Sequence, residues 1–209
     1  MKRHRGMTLT ELLIALGIAS IIGAGVVAMT EAVGRVLDDG RTERERTIAA
    51  AVAASRLSSV VAPSNCALAL HPDIAVFWKA DTRSDDRIQA SEVNWVRFDE
   101  DPGELILEWV EFPESFSPNE RNQSDRTCSS NEDFTLLRTE YQRLGYLSCR
   151  VLLDGIKHVE YAMLASDCTS PLTQRRISWR LVWMGASGID ATTVVTAGLH
   201  THAAPEEDG

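Results

Sequence analysis

The sequence predicts an α+β protein in which one long N-terminal helix packs on an antiparallel β-sheet. Three observations predict it. Residues 12–30 form a run of 19 uncharged positions, the length of an apolar segment that crosses a membrane as a helix. Apolar residues then continue at helical spacing to Val61. After Pro63 the pattern changes to short apolar, aromatic and β-branched runs divided by turn residues, which read as strands. A helix followed by a set of strands is the α+β order.

The first 62 residues divide by charge and pattern. Met1-Lys2-Arg3-His4-Arg5 is basic, and Gly6 closes it. From Met7 the only charge before Glu31 is Glu11. A secretory signal peptide carries a shorter apolar core, about 7–15 residues, ending in a small-residue cleavage site; the run here is longer and passes into a helical pattern. Lys2, Arg3 and Arg5 put the leader on the cytoplasmic side of the inner membrane, so the rest of the chain is expected in the periplasm. Residues 31–62 continue the helix amphipathically. Arg41-Thr-Glu-Arg-Glu-Arg is a solvated charged stretch, and Ile48, Val52, Leu57, Val60 and Val61 form an apolar stripe among alanines. Pro63 stops it. A continuous helix over residues 7–61 would be about 80 Å long, with Gly34 and Gly40 as bends.

The strand region runs from residue 63 to 199. Ile74–Trp78 is a short apolar run, and Val93–Phe98 and Glu104–Val110 flank Asp99-Glu-Asp-Pro-Gly103, a hairpin signal. Residues 113–133 are polar and read as a long surface loop. Leu136–Tyr146 fits a short helix or an irregular segment equally well. Cys149–Leu153, Val159–Met163 and Ile177–Trp183 read as strands, Thr192–Leu199 as an edge strand, and residues 200–209 as a polar tail. Trp78, Trp95, Trp109, Trp179 and Trp183 fall at strand positions and read as core.

The order Gly6, Met7, Glu11 and apolar run, behind a basic leader, resembles the prepilin-type N-terminal signal of type IV prepilins and type II secretion pseudopilins, whose usual form is Gly-Phe-Thr-Leu-x-Glu before a hydrophobic helix. Met7 stands where phenylalanine is commoner, and Thr10 where an aliphatic is frequent. The resemblance covers about the first 30 residues and extends to the rest only as architecture. It implies a pilin-like fold and leader residues 1–6 cleaved after Gly6 by a prepilin peptidase that also N-methylates Met7. Residues 7–30 would be the membrane-spanning, filament-core helix. Glu11 would pair with the N-terminal amine of a neighbouring subunit, because opposite charges in an apolar bundle are tolerable only as a pair. The implied partners are that peptidase/N-methyltransferase, other pilin-like subunits and an inner-membrane assembly platform. The large strand region and the 113–133 loop favour a minor pseudopilin; the region around Leu152, Leu153 and Tyr161 is loosely similar to those of type II secretion. A type IV pilus minor pilin is the near alternative. A signal-anchored periplasmic binding domain that keeps its leader is the other.

Charge and chemistry bound the rest. The net charge of −9 becomes −12 when the leader cations Lys2, Arg3 and Arg5 are removed, which argues against nucleic-acid binding. His71, His158, His200 and His202 are scattered, and no nucleophile motif is present. An enzyme is therefore not expected, and no cofactor is required. Cys66, Cys128, Cys149 and Cys168 contain no Cys-x-x-Cys pair; in an oxidising compartment they suggest at least one disulfide, with the pairing open. One segment resembles a calcium loop. In Asp81–Glu92, Asp81, Asp85, Arg87 (by its carbonyl), Gln89 and Glu92 occupy positions 1, 5, 7, 9 and 12 of an EF-hand-like loop. Arg83 and Asp86 stand where an oxygen ligand and a glycine belong. Two readings remain for it: a structural calcium site, or a metal-free turn held by Asp–Arg pairing.

Overall fold

The computed structural model describes residues 9, 10, 13, 16, 17, 20, 29, 31, 44, 47–83, 85, 87–163, 172, 175–183 and 190–199. The chain falls into two units, Met1–Ile48 and Ala49–Gly209. In the first, every described position is helical. Leu9, Leu13 and Leu16 follow at steps of four and three residues, which puts them on one helix face, and each is more than half exposed. Most of the expected helix from Met7 to residue 46 lies outside the described residues. Among the described residues no helix is long and apolar enough to cross a membrane.

The second unit opens with a helix, α1, over residues 49–61. Among the described residues ten strands and two α-helices follow: β1 (Cys66–Leu70), β2 (Ile74–Trp78), β3 (Ile88–Gln89), β4 (Val93–Asp99), β5 (Glu104–Val110), α2 (Pro118–Ser124), β6 (Thr127–Cys128), α3 (Phe134–Leu144), β7 (Leu147–Leu153), β8 (Ile156–Met163), β9 (Arg176–Trp183) and β10 (Ala191–Gly198). They make a five-stranded sheet of order β1-β2-β4-β5-β7, a three-stranded sheet β10-β9-β8 and a two-stranded ribbon β3-β6. Every pairing is antiparallel. The β4–β5 hairpin turns through 100–103 as its sequence predicts, with Gly103 at φ 83. In place of the single sheet expected, the strands form two sheets and a ribbon. Asp154-Gly155 carries the chain from β7 in the first to β8 in the second, with Gly155 at φ 68, a conformation that costs glycine nothing.

The five-stranded sheet is the middle layer and buries both faces. On one side Ala75, Phe77, Val96, Leu105 and Leu107 meet α1 (Ala53, Leu57, Val60, Val61) and the second sheet (Val159, Ile177, Trp179, Leu181, Val195). On the other, Ile74, Val76, Trp78 and Trp95 meet Ile88, Cys128 and the α3 residues Phe134, Leu137 and Tyr141. Alternate residues of β2 thus enter different cores, so the strand is apolar at every position. Full burial of a side chain such as Leu57 stabilises by about 1.5–3 kcal/mol. Trp95 Nε1 donates to the Phe134 carbonyl at 2.9 Å, fastening α3 to the sheet.

Two expectations change. The stripe on α1 does not bury as one face: Leu57, Val60 and Val61 are in the core, but Val52 is 40% exposed and Ala53 takes its place. At 3.6 residues per turn Val52 lies about 140° from Leu57. The 113–133 loop also contains structure. Ser117 caps α2 with its side chain, Pro118 occupies the first turn, and the Glu120 carboxylate accepts from the Ser117 N–H, a capping box. Hydrogen bonds from Ser117 hold the Glu120 carboxyl below its ordinary value. The undecided segment is α3, with Asp133 as N-cap and Gly145 at φ 76 ending it.

Candidate functional site

The Asp81–Glu92 segment is arranged around one carboxylate. A short 3₁₀ turn, Ala90–Glu92, sets Glu92 at the start of β4, and Glu92 is 2% exposed. Its Oε1 accepts from the Thr82 backbone N–H at 2.6 Å and from the Thr82 hydroxyl at 2.5 Å. Its Oε2 accepts from Trp78 Nε1 at 3.1 Å and from the Gln89 N–H at 3.3 Å. Four donors therefore satisfy the position that a calcium loop would keep for bidentate ligation.

The other predicted ligands are engaged in the same way. Asp81 Oδ1 accepts from the Asp85 N–H, and Asp85 Oδ1 from the Arg87 N–H. The Gln89 side-chain carbonyl accepts from the Thr127 hydroxyl at 3.1 Å, across the β3-β6 ribbon. Among the described residues no three carboxylate, histidine or cysteine side chains form a group suited to a metal ion. The structure describes Asp81, Asp85, Gln89 and Glu92 of the expected calcium set as hydrogen-bond acceptors within the segment. It shows a turn held by side-chain acceptors and by an Asp–Arg pair whose carboxylate comes from elsewhere. Arg83 donates to Asp125 Oδ2 at 2.7 Å, and Asp125 also accepts from the Ser91 N–H and hydroxyl at 2.9 and 2.8 Å. Asp125 and Thr82 were not singled out in the sequence, because Asp125 lies 33 residues beyond Glu92 in a polar stretch.

A second buried carboxylate joins α3 to the sheet. Glu108, 4% exposed, receives Arg138 Nε at 2.5 Å and Arg138 Nη2 at 2.6 Å, with Arg97 Nε at 3.4 Å. These bonds hold the Arg138 guanidinium above its ordinary pKa. Arg126 spans Glu132 and Glu140, and Tyr141 donates to the Ser124 carbonyl at 2.7 Å. Burial pushes the Tyr141 hydroxyl up to about 12.

Cys66, Cys128 and Cys149 are free thiols; Cys168 lies outside the described residues. Cys66 and Cys128 are buried in the α3-side core, whereas Cys149 is exposed on β7. Burial raises Cys66 and Cys128 from 9.0 to about 12. The fold holds the neutral thiols, so between those values the native chain binds more protons than the unfolded one. Stability is complete below pH 9 and falls as pH rises from 9 towards 12. Urea midpoints across that range are expected to decline, with Cys66→Ala and Cys128→Ala each flattening the decline. At neutral pH a maleimide is expected to label Cys149 in the native protein but to reach Cys66 and Cys128 only on unfolding, read by peptide mass spectrometry.

The expected processing and assembly residues Gly6, Met7 and Glu11 lie outside the described residues. Residues 1–27 match the family described as "Prokaryotic N-terminal methylation motif". The chain therefore carries the type IV prepilin/pseudopilin signal at its N terminus. That motif implies processing by a prepilin peptidase, a membrane-anchored N terminus and assembly with other pilin subunits. No curated protein and no solved structure matches the chain.

Proposed function

We propose that this chain is a minor subunit of a type II secretion pseudopilus, cleaved after Gly6, N-methylated at Met7 and assembled through residues 7–30. The single observation that carries the proposal is the methylation motif over residues 1–27. Leu9, Leu13 and Leu16 support it, since an exposed apolar helix face calls for lipid or a partner. In this reading the N terminus starts in the cytoplasm, the second unit stands in the periplasm, and the chain is a building block rather than a catalyst. Glu11 would set register by pairing with the methylated amine of a neighbour, since an unpaired charge in an apolar bundle is costly.

N-terminal mass spectrometry of membrane-extracted protein tests the reading. The expected chain begins at N-methylated Met7, and the Gly6→Ala variant is expected to keep its leader, residues 1–6. A wild-type chain that still carries its leader would remove the filament reading in favour of a signal-anchored domain. Glu11→Ala is expected to be processed normally yet to co-purify with sheared filaments far less than wild type. Co-purification at the wild-type level would remove the pairing mechanism.

A further inference from the structure

β10 ends the three-stranded sheet, and among the described residues nothing pairs with its outer edge. Folded proteins usually blunt such an edge with charge, proline or a bulge. β10 has none of these: Ala191–Gly198 reads ATTVVTAG, and its register with β9 runs unbroken over eight pairs. The opposite edge strand, β8, carries Lys157, His158 and Glu160 and a register shift against β9.

Two features single out one occupant for this edge. The strand is a near-palindrome about Val194. Read against a reversed copy, Ala191 meets Ala197, Thr192 meets Thr196 and Val194 meets itself; only Thr193 and Val195 differ, and their shapes are alike. The backbone phase agrees with that centre. Leu199 N–H donates to the Arg175 carbonyl at 3.0 Å, and β10 continues this register with β9. Since hydrogen-bonding direction alternates along an antiparallel strand, odd-numbered residues address β9, and Thr192, Val194 and Thr196 turn their N–H and C=O groups to the open edge. A reversed copy centred on Val194 therefore meets donors and acceptors in register.

We propose that β10 pairs antiparallel with β10 of a second copy of this chain, through a two-fold axis at Val194, to join two three-stranded sheets into one of six. Such an interface is self-complementary and closes at two copies. It buries the open edge by backbone pairing, and it sets Thr against Thr and Val against Val on the exposed face, both favourable cross-strand pairs. It involves neither Gly6 nor Glu11, so it stands apart from the processing reading.

Disulfide cross-linking of the full chain in membranes tests it, in a Cys149→Ser, Cys168→Ser background. Paired residues in such a ladder have Cα atoms about 5.5 Å apart, within disulfide reach. Val194→Cys is expected to give cross-linked dimer. Chains bearing Thr192→Cys mixed with chains bearing Thr196→Cys are expected to do the same. Thr192→Cys alone is expected to give none, because its two copies would lie roughly 13 Å apart along the strands. Lys157→Cys on β8 serves as the collision control, and Val194→Lys is expected to abolish the Thr192–Thr196 product. Cross-linking by Thr192→Cys alone, or yields everywhere at the Lys157→Cys level, would overturn the proposal. Because N-terminal processing is read separately on the same chains, failure here is distinct from failure of the filament reading.

Discussion

Glu92→Gln is expected to lower the stability of the second unit by about 2–4 kcal/mol, although it changes one atom. The carboxylate accepts from Trp78 Nε1, the Thr82 N–H and hydroxyl, and the Gln89 N–H, and it is 2% exposed. A glutamine keeps one acceptor oxygen and turns an NH₂ towards donors. Either the buried Trp78 and Gln89 donors or the part-buried pair on Thr82 lose their acceptor, each costing about 1–3 kcal/mol. For a domain of this size that corresponds to roughly 5–15 °C in melting temperature, readable by calorimetry. The same geometry predicts that calcium leaves the wild-type melting temperature unchanged and that Asp81→Asn costs much less than Glu92→Gln. A calcium-dependent rise lost in both variants would restore the ligand reading and remove the hydrogen-bond account.

Arg138→Ala is expected to cost about 3–5 kcal/mol, the penalty for leaving a buried charge without its main partner. Glu108 is 4% exposed, and Arg138 supplies both short hydrogen bonds to it, at 2.5 and 2.6 Å, while Arg97 stands off at 3.4 Å. Glu108→Ala strands Arg138 instead, but that guanidinium sits nearer to solvent and can reach it, so the loss should be smaller. Glu108→Leu with Arg138→Met is expected to be less destabilising than Arg138→Ala alone, since apolar replacement of both partners removes the desolvation penalty. Denaturant titrations of Glu108→Ala, Arg138→Ala and the double alanine variant give the coupling energy. A coupling near zero would mean that the pair contributes packing and no electrostatics.

Most strands were legible in the sequence because dense burial writes a plain signal. Ile74–Trp78, Val93–Phe98, Glu104–Val110 and Ile177–Trp183 all carry dense apolar or aromatic residues, and all are strands. β1 was not read, because Cys-Ala-Leu-Ala-Leu has few β-branched or aromatic residues, and tertiary pairing with β2 decides its state. α2 carried its start signal in Ser117-Pro118-Asn119-Glu120, yet its apolar content is nil and no periodicity announces it. The division into two sheets was not legible, since alternation reports how many faces are covered but not by what.

The candidate site was legible by halves. The leader pattern around Gly6, Met7 and Glu11 is local and ordered, so a short motif suffices to recognise it. In the 81–92 segment, loop spacing counts oxygen atoms without showing which donors stand nearest. Thr82 and Trp78 reach Glu92 from within the fold, and Arg83 is drawn off to Asp125. Two of the four cysteines serve as small apolar core residues, a role that their spacing does not reveal.

The middle layer has a consequence for the order in which the domain can be completed. Its α3-side core draws on residues from Cys66 to Tyr141, whereas the opposite core needs Ile177, Trp179, Leu181, Val195 and Ala197 from the final stretch of the described chain. A chain delivered from its N terminus can therefore finish one core while the other still lacks its cover. Until β8, β9 and β10 arrive, Phe77, Leu105 and Leu107 present an open apolar face, the surface on which a chaperone would have to act.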